Sequence, residues 1–189
     1  MSDYIIDPRR NWVLMESRMA VEPDPQIRAH MQIVINHARY EAAADFEQLM
    51  ATVSPQASYH SYSGDPAADA ANSPQGKAGV ADYYRMIVES GLHRIEHKSD
   101  RIIADRDHIM EEGVIKMAYP GAVLQMMGHA DADAEKLYLY QSRLVIIWGF
   151  DNDGLVQFED SYAPPGGFEG ILQREITPDQ IHDYHLAEK

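Results

Sequence analysis

An α+β fold, with helices packed on a curved, mostly antiparallel sheet that closes into a cone with an internal pocket, follows from three features of this sequence. Helical periodicity is concentrated in the N-terminal half, strand alternation dominates after Gly91, and two tight polar turns each join a pair of long alternating runs. A chain of 189 residues forms one domain of this kind with terminal extensions.

Residues 1–25 read as an N-terminal extension, with a short helical piece, "RRNWVLMESRMA", ended by "EPDP". A single domain then spans 26–163. It begins with a helix predicted over 26–50, where Ile27, Met31, Val34, Ile35, Ala38, Ala42, Phe46 and Leu49 recur at helical spacing. "ASYHSYS" alternates as a strand, "GDPAADAANSPQG" is a small-residue loop, and 77–90 form a second helix with Val80, Tyr83, Tyr84, Ile87 and Val88 inward. "HRIEHKSDRIIAD" and "HIMEEGVIKMAY" pair around Arg106-Asp107, and "GAVLQMMGHA" reads as a further strand. "LYLYQSRLVIIWGF" and "LVQFEDSY" pair around "DNDG". The C-terminal extension, 164–189, holds "APPGGFEG" and a last helix capped by Thr177 and Pro178.

The net charge of −14 lacks the basic stripe that nucleic acid or an anionic membrane surface requires, so neither is an expected partner. The longest apolar run, "LVIIWGF", is too short to span a bilayer, and the N-terminus has no signal-like apolar stretch; a cytoplasmic protein is expected. Zero cysteines exclude thiolate catalysis, disulfides and iron–sulfur clusters. Neither a phosphate loop nor a dinucleotide fingerprint occurs, and "HADAD" has no second ligand cluster, so no cofactor and no metal are expected.

Candidate chemistry concentrates on the strands. With Asn152-Asp153 at the turn centre, Asp160 lies opposite Val145 and Tyr162 opposite Arg143, so Arg143, Val145, Ile147, Phe158, Asp160 and Tyr162 share one face. Leu144, Ile146, Trp148, Phe150, Gln157, Glu159 and Ser161 share the other, and both faces are apolar. Asp160 is the candidate base on the first face, or else the partner of Arg143 in a structural ion pair. Phe158 and Tyr162 beside it, and Trp148 opposite, are candidate ring contacts for substrate. His93 and His97 are roughly 13 Å apart along their strand and cannot share a metal. His97 and Lys98 are candidate proton-transfer groups, as are Tyr59 and His60 of "YHSY". On the first helix His30, His37, Tyr40 and Glu41 share a polar side, from which His37 and Tyr40 are candidate substrate contacts; Asp45 is that helix's candidate carboxylate.

"NHARYEAAADFEQL", "GKAGVADYYRMIV" and "FDNDGLVQFEDSY", within residues 27–163, together resemble the nuclear transport factor 2-like superfamily, in particular its SnoaL-like branch. The resemblance implies the cone fold and a homodimer. It puts Asp160 where the SnoaL-like and epoxide-hydrolase motifs carry a catalytic aspartate, makes His97 the nearest match to a strand histidine, and suggests tyrosines as oxyanion donors. Superfamily activities include polyketide cyclization, ketosteroid isomerization, epoxide hydrolysis and dehydration, alongside non-catalytic binding modules. The Met- and Tyr-rich composition and terminal segments are similar to diarylpropane lyases that act on lignin-derived dimers. The function expected is therefore a cofactor-independent lyase or dehydratase for a small hydroxylated aromatic compound, with loss of formaldehyde through a quinone methide. A cyclase, isomerase or epoxide hydrolase using Asp160 with Arg143, and a ligand-binding or dimerisation module, are the alternatives.

Overall fold

A computed structural model describes residues 4–187. Helices α1 (Val13–Met19), α2 (Pro25–Ala42), α3 (Phe46–Ala51), α4 (Pro66–Ala71) and α5 (Gly76–Glu89) precede most of the sheet, and α6 (Gly121–Met126) interrupts it. The strands are β1 (His60–Tyr62), β2 (Ile95–Ala104), β3 (His108–Pro120), β4 (Leu137–Phe150), β5 (Val156–Tyr162) and β6 (Glu175–Ile176). They form one sheet in the order β1-β5-β4-β3-β2, with β6 against the start of β4. Only β1 runs parallel to its neighbour, β5; the other pairings are antiparallel.

The predicted helix over 26–50 is two helices. Ala44 sits at φ 53, a left-handed conformation costly for an L residue, and Asp45 then caps α3 by accepting from the Gln48 amide. Within the predicted loop 64–76, Asp65 caps the short helix α4 and Pro66 opens it. "GAVLQMMGHA" is α6 rather than a strand: Gly121 and Leu124 are buried while Met126 and Met127 are exposed, a pattern too short for its period to be read from sequence. The expected C-terminal helix is a single 3₁₀ turn at Pro178–Gln180, after which Ile181 leaves in extended form and bridges to Ile6. Both terminal segments pack on the body: Trp12 and Met15 belong to the main core, and Ile6 joins Ala118, Ile176 and Ile181 in a second cluster.

The β4–β5 register differs from the expected one by two residues. An irregularity between Gly149 and Phe150 places Asp160 opposite Ile147 and Tyr162 opposite Val145. A shift of two leaves Val145 to Trp148 and Phe158 to Tyr162 on their predicted faces, while beyond the irregularity Val156 joins Leu144, Ile146 and Trp148 in the core. In the β2–β3 hairpin a bulge after Ser99 does alter the faces. Lys98 is exposed, and across the bulge it lies on the face opposite Ile102 and Ala104, away from the core. The two backbones approach closely here: a Cβ on Gly113 would sit 2.2 Å from the Lys98 carbonyl oxygen and 2.7 Å from the Ser99 Cα. Gly113→Ala is therefore expected to destabilise the fold by roughly 2–4 kcal/mol, read as a lower urea midpoint at unchanged slope. A midpoint equal to that of the parent would refute the close approach.

Candidate active site

Between the inner face of the sheet and helices α2 and α5 lies a cavity of about 170 Å³. Strand alternation supplies Leu144, Ile146 and Trp148 from β4, Glu159 and Ser161 from β5, Glu111 from β3 and His97 from β2. Helical spacing brings His37, Ala38 and Glu41 from α2 and Tyr83, Tyr84 and Ile87 from α5. Asn11, Trp12 and Met15 close it from the N-terminal segment. Asn11 is fixed by accepting from the His97 amide, at 2.6 Å.

One hydrogen-bonded chain crosses the wall. The Thr52 hydroxyl donates to the Leu49 carbonyl at 2.7 Å and lies 2.7 Å from His37 Nδ1. His37 Nε2 is 2.6 Å from the Tyr84 hydroxyl, which is 2.9 Å from Glu159 Oε2. Burial lowers the His37 pKa to about 3, so the imidazole is neutral and carries one proton. Tyr84 has one hydroxyl proton and two neighbours that can accept it. When Glu159 is ionised, Tyr84 donates to it, His37 turns its proton towards Tyr84, and Thr52 gives its hydroxyl proton to His37 Nδ1 in place of the Leu49 carbonyl. When Glu159 is protonated, Glu159 donates to Tyr84, Tyr84 to His37, and His37 to Thr52, with the Leu49 carbonyl as terminal acceptor. The chain thus reverses polarity with the charge on Glu159.

Glu159 is buried enough to push its pKa up to about 7; the Tyr84 hydrogen bond opposes that rise, and the Glu111 and Asp160 charges add to it. Glu41 is pushed up to about 8, first by burial and then by the charge of Glu159. The fifth of the Glu159 side chain that stays accessible opens onto the cavity. Glu111 is also raised by burial, although its two oxygens accept from the Ser99 hydroxyl at 2.8 Å and the Trp148 indole N–H at 2.9 Å. Near neutral pH the site therefore offers a carboxylate at Glu159 and a carboxylic acid at Glu41, the two states that general base and general acid require. Tyr84→Phe removes the bond that lowers the Glu159 pKa. The ionisation of Glu159, followed by carboxyl NMR against pH, is expected to have its midpoint roughly one pH unit higher. An unchanged midpoint would show that the bond does not act on Glu159.

Of the residues singled out from sequence, His37, His97 and Trp148 line this cavity. Asp160 does not. Its face is the outer one, where it accepts from His60 Nδ1 at 2.8 Å, because parallel pairing sets His60 directly beside it. Tyr162 is exposed and stacks on Tyr62 at 4.6 Å, and Phe158 packs over Gly149 and the His108 ring on the same outer face. Arg143 pairs with Asp100 at 2.6 Å and Glu112 at 2.7 Å, not with Asp160. Lys98 is exposed. Tyr59 is buried in the core, edge-on to Tyr84 at 6.2 Å, and Tyr40 faces an outer groove with Arg39 and Tyr184. Asp45 is a helix cap, so the carboxylate that α2 contributes is Glu41. The expectation that the Asp160 face forms the pocket wall is thus reversed. Alternation had grouped Glu159 with Leu144, Ile146 and Trp148, and helical spacing had placed Glu41 one turn from His37; those were the available signals.

Helices closed over a curved, open, mostly antiparallel sheet make the nuclear transport factor 2-like fold that SnoaL-like proteins share, and the chain has that fold. Its solved neighbours include an M. tuberculosis LEH-like epoxide hydrolase, 17% identical over 79% of this chain and 94% of that one, with a TM-score of 0.56. A protein from Shewanella denitrificans OS-217 assigned as a SnoaL-like polyketide cyclase is 12% identical over 71% and 89%, with a TM-score of 0.55. TerC, co-crystallized with polyporic acid, is 11% identical over 77% and 98%, also at 0.55. At these identities the likeness concerns the fold. No family model and no curated protein matches the sequence. Among the described residues no helix is long and apolar enough to cross a membrane, and no group of three or more His, Asp or Glu side chains is placed to hold a metal ion.

Proposed function

We propose that this chain is a cofactor-independent carbon–oxygen lyase, a dehydratase, for a hydroxylated one-ring compound. The observation that carries the reading is the pair Glu159 and Glu41 in one largely apolar cavity, ionising near 7 and near 8. Glu159 removes a proton from the carbon next to the hydroxyl-bearing carbon. The C–H electron pair becomes the new C=C bond as the C–O bond breaks, and Glu41 gives its proton to the departing hydroxyl, which leaves as water. Glu159 ends protonated and Glu41 ionised, and proton exchange with water resets the pair. The reversible chain through Tyr84 and His37 supports both charge states of Glu159.

Size limits the substrate. A cavity of about 150 Å³ accommodates benzene, so about 170 Å³ suits one ring with a small substituent. A diarylpropane diol has two rings and exceeds it, so the lignin-dimer expectation is not carried forward. The hydrolase reading that paired Asp160 with Arg143 loses its residues, since neither lines the cavity. A homodimer belongs to the proposal through the outer sheet face, where Val145, Ile147 and Phe158 are half-buried and Tyr62 and Tyr162 exposed. A monomeric mass by light scattering would remove that part. The activity is tested with 3-hydroxycyclohexanone and related ring alcohols, following the absorbance of the conjugated enone. Exchange of ring hydrogen with deuterated water without loss of hydroxyl would make the protein an isomerase instead. Neither elimination nor exchange with any member overturns the reading.

A further inference from the structure

The cavity's charge inventory is one-sided. Glu41, Glu111 and Glu159 all face it, and among the described residues that line it none is Lys or Arg. Arg39, the nearest cation by stacking, lies over the Trp12 ring at 5.4 Å but belongs to the outer groove. Three carboxyl groups gathered without a counter-cation cost free energy, because each loses hydration and raises the others' cost of ionising.

A second observation points to a missing ligand group. His97 is 6% exposed, lines the same cavity, and its Nε2 is buried with no hydrogen-bond partner. Burial holds this imidazole neutral, with its pKa lowered to about 4, so Nε2 can present a lone pair to an N–H donor. The walls add the rings of Trp12, Tyr83 and Trp148, aromatic side chains of the type whose quadrupole attracts a cation. A net charge of −14 also favours approach of a cation over an anion.

We infer that the ligand of this cavity carries a protonated amine on its single ring, seated at Glu111, donating to His97 Nε2 and packed against the aromatic walls, with Glu41 left as the acid and Glu159 as the base. The inference rests on the site assigned above and specifies its substrate class, a cyclic or ring-substituted amino alcohol. A cation there supplies the missing counter-charge, and one of its N–H groups satisfies His97 Nε2. Each Glu111 oxygen accepts one hydrogen bond already and has a further lone pair for the ammonium.

Three probes of nearly one shape isolate charge: benzylamine, benzyl alcohol and benzoate, titrated calorimetrically into the full chain at neutral pH. Benzylamine is expected to bind roughly tenfold tighter than benzyl alcohol or more, as a desolvated cation among rings and carboxylates should, and benzoate not to bind. Glu111→Gln, which keeps the shape, with its oxygen accepting from Trp148 and its amide group donating to the Ser99 hydroxyl oxygen, is expected to remove most of the amine's advantage while leaving benzyl alcohol affinity within about twofold. His97→Gln, which keeps a polar group there, separates loss of the acceptor from loss of fold, the latter read by thermal melting. Equal or tighter binding of the alcohol, binding of benzoate, or no binding of benzylamine overturns the inference. Dehydration of neutral ring alcohols without amine selectivity would sink this inference alone. Amine selectivity without elimination from any ring alcohol would sink the dehydratase reading alone.

Discussion

Glu159→Gln is expected to lower kcat for water elimination by roughly 10³-fold, within the 10²–10⁴ that a positioned general base contributes. The amide still accepts from Tyr84 through its oxygen, so the fold and the cavity should persist; what is lost is the group able to take the proton from carbon. The parent's kcat should depend on pH as a bell. Glu159 must be ionised, so activity rises through about 7, and Glu41 must be protonated, so it falls through about 8. In the Gln variant the residual rate should lose the acidic limb. Steady-state kinetics across pH, with circular dichroism to verify folding, decides the matter. A loss below about tenfold would remove Glu159 from the role of base.

Glu41→Gln is expected to act in two directions at once: slower chemistry and a more stable protein at alkaline pH. In the fold Glu41 keeps its proton up to about 8, whereas an ordinary glutamate ionises near 4.5. Between those values the native state binds the extra proton, so stability falls as pH rises through that window and levels off above it. Gln has no proton to lose, so this contribution to the slope disappears. Every tenfold difference in proton affinity between the folded and unfolded chain is worth about 1.4 kcal/mol. Discounted because the cavity is partly accessible, the variant should be more stable than the parent by ~3 kcal/mol at about pH 9. That corresponds to a melting temperature roughly 5–10 °C higher, and the two proteins should melt alike near pH 4.5. The same change removes the proton donor for the leaving hydroxyl and should cost kcat about 10²-fold or more. A variant no more stable than the parent at alkaline pH would mean that Glu41 is not held protonated by its surroundings.

Much of the fold was legible because its signals are local. Asp-Asn-Asp-Gly and Arg-Asp mark two turns, and long alternating runs on either side leave little freedom in pairing. Even a register error of two residues between β4 and β5 kept the faces of Phe158 to Tyr162 intact, since side chains alternate with a period of two. Local signals failed where two conformations use the same residues. Ala43-Ala44-Asp45 suits a helix interior and a helix break equally, and "GAVLQMM" is too short to show its period. The bulge after Ser99 depends on a neighbouring strand and on the missing side chain of Gly113, so nothing within β2 announces that Lys98 will face water.

The site divides in the same way. By itself the sequence determined that Glu159 sits with Leu144, Ile146 and Trp148 and that Asp160 sits with Phe158 and Tyr162, because alternation along a strand is a property of the backbone. It also determined the acid balance, the absence of thiols and the supply of buried aromatic residues. Only the tertiary structure decided which of those two faces is inside. Both are apolar enough to be covered, and the choice falls to surfaces distant in sequence: α2, α5 and the Trp12 segment all pack on the Trp148 side. That packing strips water from Glu159 and Glu41 and raises their pKa values, while Asp160, on the other face, is left beside His60.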